Sequence, residues 1–450
     1  MTSAPARLSL RFVAIAAVVA AVGFAISFEM VAYSVAHYYY VPFAHDLDVT
    51  LFQAYAFTLL NGHVPYRDYT LLYPPGALPA FVIPAWLAGT ASNADRYLIA
   101  FQTVMVTFGV ILCVLVIGTL SRVTDRRRDI VIATVLLATS PLLLGWTAVL
   151  RYDLWPAMLT AATMLSVVLG RYRVAGLLLG LAIVAKVYPV VLLPLLAIYA
   201  WRNAGRREAA LFAAITFGVI GAVFAPFLIL GAQPFIDTMT KAFERYLQVE
   251  SLGASMLFVL HAVNGTPIKV TFAGGSHNLV GVLPSQAIDL QTYALAVLLV
   301  ILWYRFARGP ADTRTLLLAA AGSVCLYVGL GRVLSDQYVI WLIPLVAMVP
   351  WGTARLAGFG LVLILALTNW IYPGEYAAYE RDFIPGLAWV VLIRVVAILV
   401  LGLYLARRAA VPAEIDEAVR APGPEPAGDP PSTDSVAAEV GSPRPASRGR

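Results

Sequence analysis

The chain has 450 residues, 60% of them hydrophobic and only 12% charged, with a formal net charge of +6 and a mean hydropathy of +0.81. An ordinary soluble domain carries about 25% charged residues, so the composition excludes a soluble enzyme and points to a chain that crosses a membrane many times. The positive charge is no nucleic-acid signal, because the basic residues gather in short loops between apolar stretches, where they set orientation.

Residues 1–10 form a short N-terminus, read as cytoplasmic. The apolar stretch 11–33 has no small-residue cleavage site after it and is read as a retained span. Spans of suitable length recur at 98–120, 130–150, 154–170, 174–187, 189–201, 209–230, 289–304, 314–332, 337–350, 355–372 and 385–406. The expected fold class is an all-α integral membrane protein with about 12 transmembrane helices over 11–406. Excess arginine in Arg122–Asp129, Arg171–Arg173, Arg202–Arg207, Arg305–Arg314 and Arg407-Arg408 puts these loops, and both termini, in the cytoplasm. The segment 407–450, rich in Pro, Ala, Ser and Glu, is expected to be a disordered cytoplasmic tail.

Two long regions, about 34–97 and 231–288, are left on the outer face. In the first, Asp46 and Asp48 precede a helical pattern (Leu51, Phe52, Tyr55, Ala56, Leu59, Leu60) that Asn61-Gly62 ends and Tyr73-Pro-Pro-Gly76 follows. Apolar 75–89 contains three prolines, and counting it as a crossing would place Arg126–Arg128 outside. It is read as juxtamembrane or re-entrant. The second region holds an amphipathic stretch from Phe235 to Leu247, the polar string Arg245–Ser251 and a Gly274-Gly275 turn.

Ionisable residues in or at the rim of spans are costly and tend to be functional. Arg151 and Asp153 fall between two spans, as do Arg332, Asp336 and Gln337. Lys186 lies about 20 Å along its helix from Arg173, has no carboxylate near it in sequence, and precedes a Tyr188-Pro189 helix break. With Asp46, Asp48, Arg245 and Glu250, these groups converge on the outer half of the membrane. Structural roles stand beside the functional ones: Arg151 with Asp153 and Arg332 with Asp336 as rim ion pairs, Lys186 packing on the break, and Asp48 capping the interfacial helix. Cys113 and Cys325 lie inside spans, and the histidines lack ligand spacing, so neither a disulfide nor a metal site is expected.

No soluble segment can hold a nucleotide-binding α/β domain, so an enzyme here takes its activated substrate through the bilayer, as a lipid-linked phosphate. A carboxylate takes the acceptor's proton, and the buried lysine and the rim arginines Arg151 and Arg332 stabilise the departing phosphate. A transporter or flippase of envelope lipids or sugars is the alternative. It would show paired repeats and a midplane site, whereas here the polar groups favour one face.

The pattern Asp48-x3-Phe52-x2-Tyr-Ala56-x5-Gly62-x2-Pro-Tyr-Arg-Asp68-x4-Tyr-Pro-Pro-Gly76 resembles the first outer loop of glycosyltransferase family 87. Arg151-Tyr-Asp153, Lys186-Val-Tyr-Pro189, Gln248-Val-Glu-Ser251 and Ser335-Asp-Gln-Tyr-Val-Ile-Trp341 extend the match across about 10–406. The resemblance implies a GT-C-like fold and an inverting transferase of bacterial plasma membranes with an outward-facing site. It would move a sugar, expected to be mannose, from a polyprenyl-phosphate donor to a glycolipid or glycan acceptor without a cofactor. It maps the catalytic Asp onto Asp48, with Asp46 in reserve, and turns Lys186 toward the donor phosphate. Tyr66, Arg67, Asp68, Tyr73, Asp153, Tyr188, Arg245, Glu250, Ser251, Asp336 and Gln337 become the expected substrate-binding set. The family can carry a His at the late outer turn, where this chain has Asp336-Gln337.

Overall fold

The computed structural model describes residues 8–38, 47–89 and 93–410. Asp46 and the expected tail beyond Ala410 fall outside the described residues. The helices run α1 Leu10–Tyr38, α2 Leu47–Leu60, α3 Leu78–Leu87, α4 Ala94–Leu120, α5 Arg127–Leu144, α6 Trp146–Leu150, α7 Leu154–Val168, α8 Tyr172–Ala185, α9 Leu193–Ala204 and α10 Arg206–Phe243. Strand β1 (Leu247–Gln248), α11 (Leu252–Asn264), and strands β2 (Val270–Ala273) and β3 (Ser276–Leu279) follow. The chain closes with α12 Val282–Arg308, α13 Thr313–Leu330, α14 Leu342–Ala347, α15 Ala354–Trp370, α16 Tyr376–Glu380 and α17 Pro385–Ala409.

Among the described residues, seven helices are long and apolar enough to cross a membrane, and the protein is an all-α membrane protein with little sheet. The crossings expected at 154–170, 174–187 and 337–350 are shorter apolar helices (Leu154–Val168, Tyr172–Ala185, Asp336–Ala347), and Pro75–Leu87 is another. They are short because proline and glycine punctuate them. Pro189 cannot supply the N–H that would bind the Ala185 carbonyl in a continuing helix. Helix α8 therefore stops, Lys186 turns extended (φ −158°, ψ 135°), and the freed carbonyl accepts from the Tyr152 hydroxyl at 3.4 Å. Pro141 leaves the Leu137 carbonyl in the same position, and the Ser140 hydroxyl fills the gap at 2.9 Å. Between α5 and α6, Gly145 sits at φ 63°, where a Cβ would also lie 2.0 Å from Asn369 Oδ1. Only glycine fits there.

Helix α2 is docked rather than merely laid at an interface. Phe52 is fully buried and stacks on Phe81 with ring centres 4.5 Å apart, and Tyr73 and Tyr152 pack edge-on against it. Tyr55, one turn on, accepts from the Leu72 N–H at 3.3 Å. Asp48 precedes Phe52 by four residues and shares this inward face. The Tyr-Pro-Pro-Gly segment is pinned too: Trp155 Nε1 donates to the Gly76 carbonyl at 3.0 Å. A Cβ on Gly76 would stand 2.6 Å from the backbone carbon and oxygen of Val184. Gly76→Ala is therefore expected to destabilise the fold by about 1–3 kcal/mol, read as a lowered thermal midpoint in detergent. An unchanged midpoint would mean that α8 gives way freely.

The region 231–288, expected on the outer face, is not wholly helical. Strands β1, β3 and β2 form a three-stranded antiparallel sheet in that order. Gly274 and Gly275, at φ 60° and 75°, make the two-residue turn between β2 and β3, where both central residues need positive φ. Helix α10 runs on past the expected end of its span, kinking at Gly231.

Candidate functional site

Three junctions bring the candidate residues together: the first turn of α2, the linker Arg151–Asp153 between α6 and α7, and a tight turn of helix at Asp336–Trp341. Arg151 is the hub. Its Nη1 lies 2.8 Å from Asp48 Oδ2, its Nε 3.4 Å from Asp336 Oδ2, and its Nη2 donates to the Tyr372 hydroxyl. Asp336 also accepts from Thr147 Oγ1 at 2.7 Å and from Ser335 Oγ at 2.9 Å. The Arg151 and Asp336 side chains are only 6% and 5% exposed, whereas that of Asp48 is 28% exposed. Of this trio, Asp48 is the member a substrate can reach.

Two residues further on, Asp153 is fully buried and bonds the Lys186 ammonium at 2.9 Å, while Trp341 Nε1 donates to it at 2.7 Å. The ammonium lies 4.5 Å from the Tyr152 ring centre, 5.7 Å from those of Tyr73 and Tyr338, and 5.6 Å from that of Trp341. Tyr188 stacks on Trp341 at 4.2 Å, its hydroxyl within 2.8 Å of Thr160 Oγ1. Lys186 thus has a carboxylate partner and an aromatic wall. The expectation of a deep ammonium without a local partner is corrected, since Asp153 is brought to it by the fold and not by sequence neighbourhood. The rim pairs are corrected as well. Arg151 joins Asp48 and Asp336 rather than Asp153, and Arg332 reaches Thr292 at 3.3 Å rather than Asp336.

The remaining candidates divide between exposed positions and the framework. Arg67 and Asp68 form an exposed pair at 2.8 Å. The Arg67 guanidinium and the Val64 N–H together hold the Asp68 carboxyl down to about 2. Tyr66 is buried at φ 67°, its hydroxyl donating to the Tyr73 carbonyl at 2.7 Å and its ring edge-on to Phe227 and Phe235. It fastens the loop to α10. Ser251 is fully buried and caps α11 by accepting from the Ala254 N–H. Gln337 lies beside Ser335, and Arg245 donates to Ser276 on the hairpin. Glu250 pairs with Arg394 of α17 at 2.7 Å, both fully enclosed. Burial raises the Glu250 carboxyl above its ordinary range, and Arg394 opposes that rise.

Sequence reasoning named Tyr73 and Tyr188 but missed Arg394, Tyr372, Thr147 and, in the aromatic wall, Tyr152, Tyr338 and Trp341 as neighbours of Lys186. Arg394 was findable, because an arginine inside an apolar span needs an explanation by itself. Thr147 and Tyr372 gave no comparable signal. No group of three or more His, Cys, Asp or Glu side chains among the described residues is arranged to hold a metal ion.

A search of curated proteins returns no match. Residues 71–330, more than half of the chain, match the sequence model of Glycosyltransferase family 87. That segment carries Tyr-Pro-Pro-Gly76, the Arg151–Asp153 linker, Lys186 and the polar string ending at Ser251. The chain is an integral membrane protein that belongs to glycosyltransferase family 87, and it is a glycosyltransferase.

Proposed function

We propose that this glycosyltransferase moves a sugar, with mannose the expected one, from a polyprenyl-phosphate donor to a glycolipid or glycan acceptor on the outer face of the membrane, with inversion and with Asp48 as general base. The observation that carries the reading is Asp48 itself. It is a part-exposed carboxylate on the first turn of α2, held from behind by a buried arginine whose other contacts lie further inside.

In the reaction, Asp48 takes the proton of an acceptor hydroxyl as its oxygen attacks the anomeric carbon. The bond from that carbon to the phosphate oxygen breaks, and the lipid phosphate leaves with the electron pair. Charge grows on the leaving oxygen, so preset cations stabilise the transition state more than the ground state. Arg151 and Lys186 are the cations paired with the site's carboxylates, whereas Arg332 reaches Thr292 of α12 and Arg245 reaches Ser276 of β3. Family membership supports this reading over the transporter.

The test supplies the purified protein in lipid nanodiscs with polyprenyl-phosphate-mannose or, separately, with GDP-mannose, and alkyl mannosides as acceptors. Transfer from the lipid phosphate and none from the nucleotide is the expected result. Transfer from GDP-mannose alone would overturn the lipid-donor reading.

A further inference from the structure

Beyond Arg151 the structure carries a line of rings that none of the chemistry above employs. The Arg151 guanidinium lies 5.1 Å from the Tyr372 ring centre. Tyr372 meets Tyr376 edge-on at 5.8 Å, Tyr376 meets His277 at 6.2 Å, and His277 meets Phe272 at 5.0 Å. The line runs from the guanidinium that holds Asp48 out to the tip of the β2–β3 hairpin. Tyr372, Tyr376 and His277 are half-buried and Phe272 is exposed. Polar groups flank the outer end: Glu380, 2% exposed, is paired with the His277 imidazole and with Arg381 at 3.2 Å, and the Arg381 side chain is 71% exposed.

We infer that this line is an acceptor subsite, a strip that binds the second and third sugars of a glycan whose terminal hydroxyl is presented to Asp48; the inference rests on the transfer reaction proposed above. The chemistry selects a sugar chain over an acyl chain. A pyranose has an apolar C–H face that packs on aromatic rings and a rim of hydroxyls that bond carboxylates, imidazoles and guanidinium groups. A lipid tail would cover the exposed Arg381 guanidinium and the open edge of half-buried His277 with carbon that offers them no hydrogen bond, at a cost each time. The strip also explains a hairpin otherwise remote from the reacting groups. Pairing of β3 with β1 (Leu247↔Leu279, Gln248↔Asn278) ties the hairpin to β1, whose Gln248 N–H donates to the Arg332 carbonyl just ahead of Asp336.

Two acceptors test it, octyl α-mannoside with one sugar and an octyl mannotrioside with three, each titrated at saturating polyprenyl-phosphate-mannose. The wild-type KM should be about tenfold lower for the three-sugar acceptor. His277→Ala, and separately Phe272→Ala on the exposed hairpin ring, should bring it up to about the one-sugar value. Equal KM values for both acceptors in the wild type, or a retained tenfold advantage in both variants, would overturn the subsite. Saturation-transfer NMR of the trioside on the protein in nanodiscs, without donor, gives an independent reading. Contact at the second and third sugars, lost in the two variants, supports the strip, and its absence in the wild type refutes it. Binding of this kind without any transfer would sink the catalytic reading and leave the subsite standing.

Discussion

Asp48→Asn is expected to lower transfer by about 10²-fold or more, the usual contribution of a general base, while the protein stays folded. Asparagine keeps the size of the side chain and its amide oxygen can still accept from Arg151, but it cannot take the acceptor's proton. Arg151 is not stranded by the change, because Asp336 and Tyr372 remain in contact with it. Asp336→Asn supplies the contrast. That carboxylate is buried and serves Arg151, Thr147 and Ser335 together, so its loss should appear first in the thermal midpoint. A kcat that falls in Asp48→Asn at an unchanged midpoint supports the base. An Asp48→Asn enzyme within a few-fold of wild type removes Asp48 from that role.

Lys186→Met should be severe for a different reason. It leaves the fully buried Asp153 carboxylate without its ammonium partner, with the Trp341 indole still donating to it. Removing one partner of a buried ion pair costs about 3–5 kcal/mol, so a marked drop in the melting temperature is expected before any question of donor binding arises. Pairing it with Asp153→Asn separates the two effects. The double variant carries no stranded charge and should recover most of the lost stability. If Lys186 also faces the donor phosphate, the refolded double variant should still transfer about 10²-fold more slowly, corresponding to roughly 2–4 kcal/mol of lost charge stabilisation. A double variant that melts and turns over like wild type would confine Lys186 to the framework.

Membership of the site was legible in the sequence far more than its wiring. Asp48, Arg151, Asp153, Lys186 and Asp336 stand out because an ionisable group among apolar neighbours has few explanations, and all five meet in the fold. Their pairing was hidden, since Trp341 bonds Asp153 and Thr147 bonds Asp336 across 188 and 189 residues. Nearest-neighbour logic paired Arg151 with Asp153 for lack of that information. Tyr372 and Thr147 are ordinary residues of an apolar stretch until the fold brings a charge to them. The crossings were legible as apolar runs, but the breaks at Lys186 and Gly145 follow from one missing N–H and one close Asn369. The sheet was invisible because β1 has two residues and β2 and β3 four each, too few for an alternating pattern. Only its Gly274-Gly275 turn announced itself.

The hub at Arg151 also orders the making of the protein. During synthesis the α6–α7 linker is complete long before residue 336, let alone Tyr372, has left the ribosome. In that interval Arg151 lacks two of its partners and Asp153 lacks its indole, although Lys186 follows the linker closely. The growing chain therefore holds charged groups whose lasting contacts do not yet exist, and it must keep them wet or shielded until the last third arrives. A chain that stops short of Asp336 retains the family's first motifs and still cannot close the cluster of Asp48, Arg151 and Asp336.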